Sequence, residues 1–143
     1  MLDEFLVGGL VSVCNIVIHA LVMSILISVA RQTSGRARAP RLQLIVVMIA
    51  AVSVLMVAHA AEVLVWAFAY EIVDAAPEGT RLVYFAFVNY TTLGYGDVVP
   101  VAKWQLLGPI TAMNGVLLFG WSTAVIFEVL RRTLGRSVEG LSP

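Results

Sequence analysis

Residues 89–100 read NYTTLGYGDVVP, and glycines stand on both sides of Tyr95 at the centre of this stretch. Glycine is a poor helix former, so a helix that leads into the stretch should end within it. Long apolar runs lie on both sides. Non-helical backbone at membrane depth is tolerated only where protein or a water-filled cavity satisfies its N–H and C=O groups. The stretch therefore predicts a loop that faces something polar inside a membrane protein.

The composition also indicates a membrane protein. Of the 143 residues, 60% are hydrophobic and 13% are charged, and the mean hydropathy of +0.94 is far above that of a soluble domain. Residues 5–30, 42–70 and 105–130 form apolar runs that are long enough to cross a hydrocarbon core of about 30 Å as helices. Residues 81–92 form a shorter run, which we interpret as a re-entrant helix. The predicted fold class is an all-α membrane protein with three transmembrane helices, one re-entrant helix and one loop.

The basic residues predict the orientation of the chain. Most of them fall in two segments, which contain Arg31, Arg36, Arg38, Arg41 and then Arg131, Arg132, Arg136. Cytoplasmic loops carry the excess of basic residues, so we expect both segments in the cytoplasm and the N-terminus outside the plasma (inner) membrane. The first apolar run begins after Asp3 and Glu4 and is too long for a signal peptide, so we interpret it as a retained helix.

Two further features narrow the function. The net charge is zero, which argues against nucleic acid as a partner, because nucleic-acid binding requires a basic field. No nucleophile or metal-ligand pattern with a recognisable spacing stands out, so an enzyme is not predicted.

The loop has a geometry that can bind cations. If residues 92–96 run extended with an alternating backbone twist, their carbonyl oxygens point one way, and glycine permits that twist at two positions. One row of carbonyls cannot replace the hydration shell of a cation, whereas four copies around an axis can, so a homotetramer is predicted. The preceding half-helix would direct its C-terminal partial negative charge at the axis. Asp97 would add a ring of carboxylates at the outer mouth.

The string TTLGYGD at residues 91–97 resembles the signature of potassium channels, in which valine is usual at the position of Leu93. The order of outer helix, pore helix, filter and long inner helix is similar to that of bacterial pore-domain channels, over residues 42–134. The inner-helix string NGVLLFGWSTA at residues 114–124 also resembles the inner helix of that family, with a hinge glycine followed five residues later by a second glycine.

The resemblance implies a passive potassium channel that needs no cofactor beyond K⁺ bound by the backbone carbonyls of its filter. The filter residues would be Thr92, Leu93, Gly94, Tyr95 and Gly96. Gly115 and Gly120 would be the hinge glycines. The cavity and its apolar gate would be lined by Val116, Phe119, Thr123, Phe127 and Leu130.

The implied organisation has three parts. Residues 1–41 form an additional transmembrane helix and an arginine-rich cytoplasmic loop. Residues 42–134 form the pore domain, with an outer helix at 42–73, a pore helix at 81–92, the filter at 92–96 and an inner helix at 104–134. Residues 135–143 form a tail that is too short for a cytoplasmic ligand-binding domain.

The chain departs from the family pattern at three places. Leu93 replaces the usual valine, and the minimal pore lacks the helix at residues 5–30. Val88 stands where some relatives carry a glutamate that bonds to the aspartate after the filter, so we expect Asp97 to lack that partner. A weakly selective monovalent cation channel and a non-conducting accessory subunit therefore stay open as alternatives.

Four polar residues lie within the apolar runs. Asn15 and His19 share one face of the first helix at an i, i+4 spacing, and His59 and Glu62 share a face of the second at i, i+3. The two helices are antiparallel, so we expect the two pairs to contact each other. Their role stays open between interhelical packing, proton sensing and, least favoured, a metal or catalytic site.

Overall fold

The structure is a computed structural model that describes residues 1–33 and 40–139. Its α-helices are α1 (Leu2–Thr33), α2 (Pro40–Ile72), α3 (Leu82–Tyr90) and α4 (Leu107–Glu139), and a single 3-10 turn covers Ala102–Trp104. No strand occurs in the described ranges. The predicted cytoplasmic Arg36 and Arg38, and residues 140–143 of the predicted tail, lie outside them.

Three segments are long and apolar enough to cross a membrane, namely Leu2–Val29, Leu42–Ile72 and Ala102–Leu134. Their length follows from uninterrupted apolar sequence, since about 20 helical residues suffice to cross the hydrocarbon core. The predicted all-α class with three spanning helices is confirmed. The outer faces of α1 and α2 carry strongly exposed side chains such as Leu10 and Val57, which is the surface that lipid covers.

Helices α1 and α4 run in the same direction, and α2 runs against both. At one end the Glu4 carboxylate accepts a hydrogen bond from the backbone N–H of Leu106, at 3.0 Å, which satisfies a donor that the start of α4 leaves without a helical partner. At the other end Met23 of α1 packs with Val125 and Val129 of α4. This arrangement puts the N-terminus of α1 and the C-terminal end of α4 on opposite sides, as three spans require.

Helix α3 is held between α2 and α4. Phe85 and Tyr90 are buried on its inner face in a cluster that includes Trp66 and Tyr70 of α2. The Tyr70 and Phe85 rings lie 5.0 Å apart. Because α3 has only nine residues, it cannot cross a membrane and ends inside the fold, where the glycine-containing loop begins.

Candidate functional site

The loop after α3 has an alternating backbone. Thr92, Gly94 and Gly96 have positive φ angles of 60°, 56° and 76°, whereas Leu93 and Tyr95 between them do not. This alternation is the backbone twist that the sequence analysis required for carbonyls that point one way. Glycine adopts a positive φ without a Cβ clash, but threonine is strained there, and such strain concentrates at functional sites.

The loop is tied down at both ends. The N–H of Leu93 donates to the carbonyl of Val88 at 3.0 Å, which continues the turn at the end of α3. On the far side the N–H of Val101 donates to the carbonyl of Ala75 at 2.9 Å. Between these two hydrogen bonds the loop is exposed on the surface of the single chain, and the Tyr95 side chain is 67% exposed.

Asp97 has a hydrogen-bond partner other than the glutamate that some relatives carry. The hydroxyl of Tyr84, on α3, donates to the Asp97 carboxylate at 2.8 Å. Position 88 holds a buried valine, as the sequence shows, and the donor instead comes from the position one helical turn earlier. The bond to Asp97 raises the pKa of the Tyr84 hydroxyl above its usual value, because ionisation would place two negative charges together.

Gly115 lies where α4 crosses the end of α3. A Cβ at this position would stand 2.0 Å from the backbone carbonyl oxygen of Tyr90. Helix α4 continues unbroken through Gly115. The residue that we predicted as a hinge therefore has a direct packing role, since only glycine lets the two backbones approach so closely. Gly120, the second predicted hinge glycine, has no neighbouring atom within 4 Å of such a Cβ.

The predicted cavity residues do not all share one environment. Val116, Thr123 and Phe127 are exposed on α4, and Leu130 is half-buried. Phe119 instead packs inward, with its ring 4.6 Å from that of His59 and 5.4 Å from that of Tyr90. Val116, Phe119 and Thr123 share one face of α4 at an i, i+3, i+7 spacing, but the Phe119 ring turns toward the rings of His59 and Tyr90.

The four intramembrane polar residues lie together, as predicted. The Glu62 carboxylate is fully buried and lies 2.7 Å from Nδ1 of His19 and 2.9 Å from Nδ1 of His59. The Nδ2 of Asn15 donates to the backbone carbonyl of Glu62 at 3.2 Å. These contacts join α1 to α2 across the interior of the fold. We call His19, His59 and Glu62 the polar cluster.

Side chains of α3 and α4 also contact the polar cluster, which we did not predict from the sequence. The Tyr90 hydroxyl donates a short hydrogen bond to Glu62. Ser122 of α4 places its hydroxyl oxygen 2.9 Å from Nε2 of His59 and 3.3 Å from Nε2 of His19. No signal in the sequence predicts these contacts, because only the docking of α3 and α4 brings Tyr90 and Ser122 to the histidines.

A second group of polar contacts lies on the other side of the cluster, toward the start of α4. Asn114 of α4 accepts hydrogen bonds from Nε1 of Trp66 at 3.0 Å and from Nδ2 of Asn15 at 3.2 Å. The Tyr70 hydroxyl lies 2.6 Å from that of Thr111. Buried polar groups of this kind specify how helices dock in a membrane, where hydrocarbon offers them no partners.

Comparison with known proteins places most of the chain in one family. The model of a family described as "Ion channel" matches residues 44–132, which include α3, the loop and most of α2 and α4. The comparisons with curated proteins and with solved structures found no match. Helix α1, which supplies Asn15 and His19, lies outside the matched residues.

Proposed function

Since the chain belongs to the ion-channel family, we propose that four copies of it form a potassium-selective channel that passes K⁺ down its gradient. The observation that carries this proposal is the alternation of positive φ angles at Thr92, Gly94 and Gly96. Rings of backbone carbonyls select ions by replacing their hydration shells, and one chain supplies only one carbonyl row. In this proposal residues 92–96 bind K⁺ through their backbone oxygens.

The surface of the single chain supports a homotetramer. The side chains of Leu93 and Tyr95 are 53% and 67% exposed, although they belong to a loop that follows the buried Tyr90 at the end of α3. Along α4 the exposed apolar side chains continue with Met113, Val116 and Phe127. These residues follow helical spacing on the face turned away from α1 and α2. A fourfold arrangement would cover the loop and let this face line a common cavity.

The proposed orientation has the N-terminus and the loop on the outer side of the plasma (inner) membrane. Glu4 and the start of α4 lie at the same end of the fold, and Val101, which follows the loop, is tied to Ala75 beyond the end of α2. The positive-inside rule then puts the opposite end, with Arg131 and Arg132, in the cytoplasm.

The test is ion flux through purified protein in liposomes, with K⁺ and Na⁺ gradients and with Ba²⁺ as a blocker. The wild type is expected to pass K⁺ in preference to Na⁺ and to be blocked by Ba²⁺. Gly94→Ala is expected to abolish K⁺ flux, because alanine strains the left-handed backbone at φ 56°. The matched control is Gly79→Ala, which meets the same strain at φ 78° in the connection before α3, outside the filter.

The outcomes separate the alternatives. Flux of both K⁺ and Na⁺ with little preference would support a weakly selective cation channel. No flux from correctly assembled wild type would support an accessory subunit. Unchanged K⁺ flux in Gly94→Ala would overturn the assignment of the filter. Native mass spectrometry in nanodiscs is expected to give a tetramer, and a stable dimer or monomer would contradict the proposed assembly.

A further inference from the structure

Tyr90, the last residue of the proposed pore helix, forms a hydrogen bond with an ionisable side chain of α2. Tyr90 ends α3 and leads directly into the loop, and its hydroxyl donates to the Glu62 carboxylate. The Tyr90 backbone carbonyl lies against Gly115 on the other side. Tyr90 therefore links the Glu62 carboxylate directly to the residues that begin the loop.

We propose that Glu62 is a positioning residue for the selectivity filter, acting through Tyr90, and that a single proton held within the polar cluster keeps it in place. The proposal rests on the channel function proposed above. It assigns α1 a part in conduction, because His19 of α1 is one of the two histidines that hold Glu62.

Counting donors and acceptors leads to that proton. Glu62 accepts from Tyr90 and has Nδ1 of both histidines at 2.7 and 2.9 Å, so each Nδ1 shares a hydrogen with the carboxylate. Nδ1 of His59 also lies 3.0 Å from the Tyr90 hydroxyl oxygen, which can accept from it. Nε2 of both histidines faces the hydroxyl oxygen of Ser122. A serine hydroxyl carries one hydrogen, so it can donate to only one of the two nitrogens. The other nitrogen must donate to the serine oxygen, which requires one proton more than two neutral histidines and a carboxylate provide.

The additional proton also balances the charge. Whether it resides on the histidines or on Glu62, the polar cluster then carries no net charge, which is the state that a membrane interior favours. Among the described residues, the other side chains that face the cluster are uncharged. They are Ser122 on α4, the rings of Trp121 and Phe119 on the same helix, and the hydroxyl of Tyr90 on α3.

The geometry favours a proton over a metal ion at this position. One ligand atom from each of His19, His59 and Glu62 lies within 4.8 Å of the others. The closest nitrogen-to-oxygen distances of 2.7 and 2.9 Å are hydrogen-bond lengths. Ligands of a tetrahedral zinc with bonds of about 2.0–2.1 Å stand roughly 3.3 Å apart, so a metal would require the cluster to expand.

The sign of the pH effect follows from the proton count. At low pH the proton is present, the cluster is neutral, and Glu62 holds Tyr90. When rising pH removes the proton, a buried negative charge remains uncompensated and two acceptor atoms face each other at Ser122. We therefore expect K⁺ flux to fall on the alkaline side. A single site loses about tenfold in protonated fraction for each pH unit above its midpoint, and the four copies of the cluster in a tetramer can make the decline in flux steeper.

The experiment measures K⁺ flux against pH, equal on both sides of the liposome, for the wild type and Tyr90→Phe. The variant keeps the buried ring and removes the hydroxyl, so its flux should be reduced at low pH and should lose the alkaline decline. The matched control is Tyr70→Phe, another fully buried tyrosine, whose hydroxyl bonds Asn89 of the same pore helix and Thr111 but not Glu62. It should keep the wild-type profile.

A second variant tests the proposal independently if Tyr90→Phe does not assemble. Ser122→Ala removes the acceptor that the additional proton serves, so its alkaline decline should begin at a lower pH than that of the wild type. Identical profiles for the wild type, Tyr90→Phe and Ser122→Ala would overturn the proposal while leaving the channel function intact. If micromolar Zn²⁺ inhibited the wild type but not His19→Gln, the cluster would hold a metal ion and not a proton, which would overturn the proposal. A wild type without K⁺ flux at any pH would overturn both proposals.

Discussion

Gly115→Ala tests whether the packing of α4 on the pore helix or the bending of α4 explains this glycine. The added Cβ would stand 2.0 Å from the Tyr90 carbonyl oxygen, whereas contacts under 3.0 Å essentially never occur at a Cβ. One of the two helices must therefore move by about 1 Å, the difference between these distances. The obstacle is backbone and not the end of a flexible side chain, so rotation cannot relieve it.

The magnitude follows from that geometry. Overpacking in a well-packed interior costs about 1–3 kcal/mol and occasionally more, and a clash with backbone belongs at the upper end of this range. The matched control is Gly120→Ala on the same helix, where nothing lies within 4 Å of the new Cβ. There alanine should stabilise the helix by about 0.5–1 kcal/mol, because glycine loses more conformational entropy on folding.

The assay combines thermal unfolding in detergent with K⁺ flux in liposomes. Gly115→Ala is expected to melt below the wild type and to lose most of its flux, since the displaced Tyr90 leads into the filter. Gly120→Ala is expected to melt at or above the wild-type temperature. If both variants have the same stability and only Gly115→Ala changes the flux, close packing does not explain why position 115 is glycine. That result would favour the hinge hypothesis, in which α4 bends at Gly115.

Tyr84→Phe should leave thermal stability nearly unchanged but shorten the conducting state in single-channel recordings, because Asp97 loses its donor; unaltered open times would contradict a role for this bond. Asp97 raises the pKa of the Tyr84 hydroxyl, so this bond should be lost only above the pH range in which a free tyrosine ionises. Recordings of the wild type at increasing external pH should therefore approach those of Tyr84→Phe. Glu4→Gln should lower the melting temperature, because an amide is a weaker acceptor than a carboxylate for the Leu106 N–H, whereas an unchanged melting curve would show that water replaces the contact. Phe127→Ala should raise the resting flux if this exposed ring closes the cavity by dewetting, and equal resting flux would exclude it as the gate.

The parts of the fold that depend on local chemistry were accessible from the sequence. Apolar length predicts the spanning helices, since the hydrocarbon thickness fixes how many residues are needed. The glycines around Tyr95 predict the break after the short helix for the same local reason. The contact between the Asn15 and Glu62 helices was also predictable, because unpaired polar groups in a membrane have few other partners.

Features that depend on how distant helices meet were not accessible. Tyr90 and Ser122 are ordinary residues of an aromatic stretch and of a helix, and only the docking of α3 and α4 brings them to His59. Thr92 gives no sequence signal for a positive φ, since threonine rarely adopts one. Tyr84 shows the limit of motif comparison. Some relatives bond the aspartate after the filter through a glutamate at the position of Val88, whereas here Tyr84, at another position, supplies the donor to Asp97.

Helix α1 is joined to the pore by chemistry that neither the motif nor the family match includes. The match covers residues 44–132, yet Glu62 within it bonds His19 of α1 at 2.7 Å. Without α1 the Glu62 carboxylate would lose its contact with His19, and the surface that α1 covers would face lipid, where an ionised group is costly. The buried carboxylate at position 62 therefore depends on α1 for one of its partners. Tyr90, which bonds the same carboxylate, leads directly into the glycine-containing loop, so the additional helix and the loop are connected through Glu62.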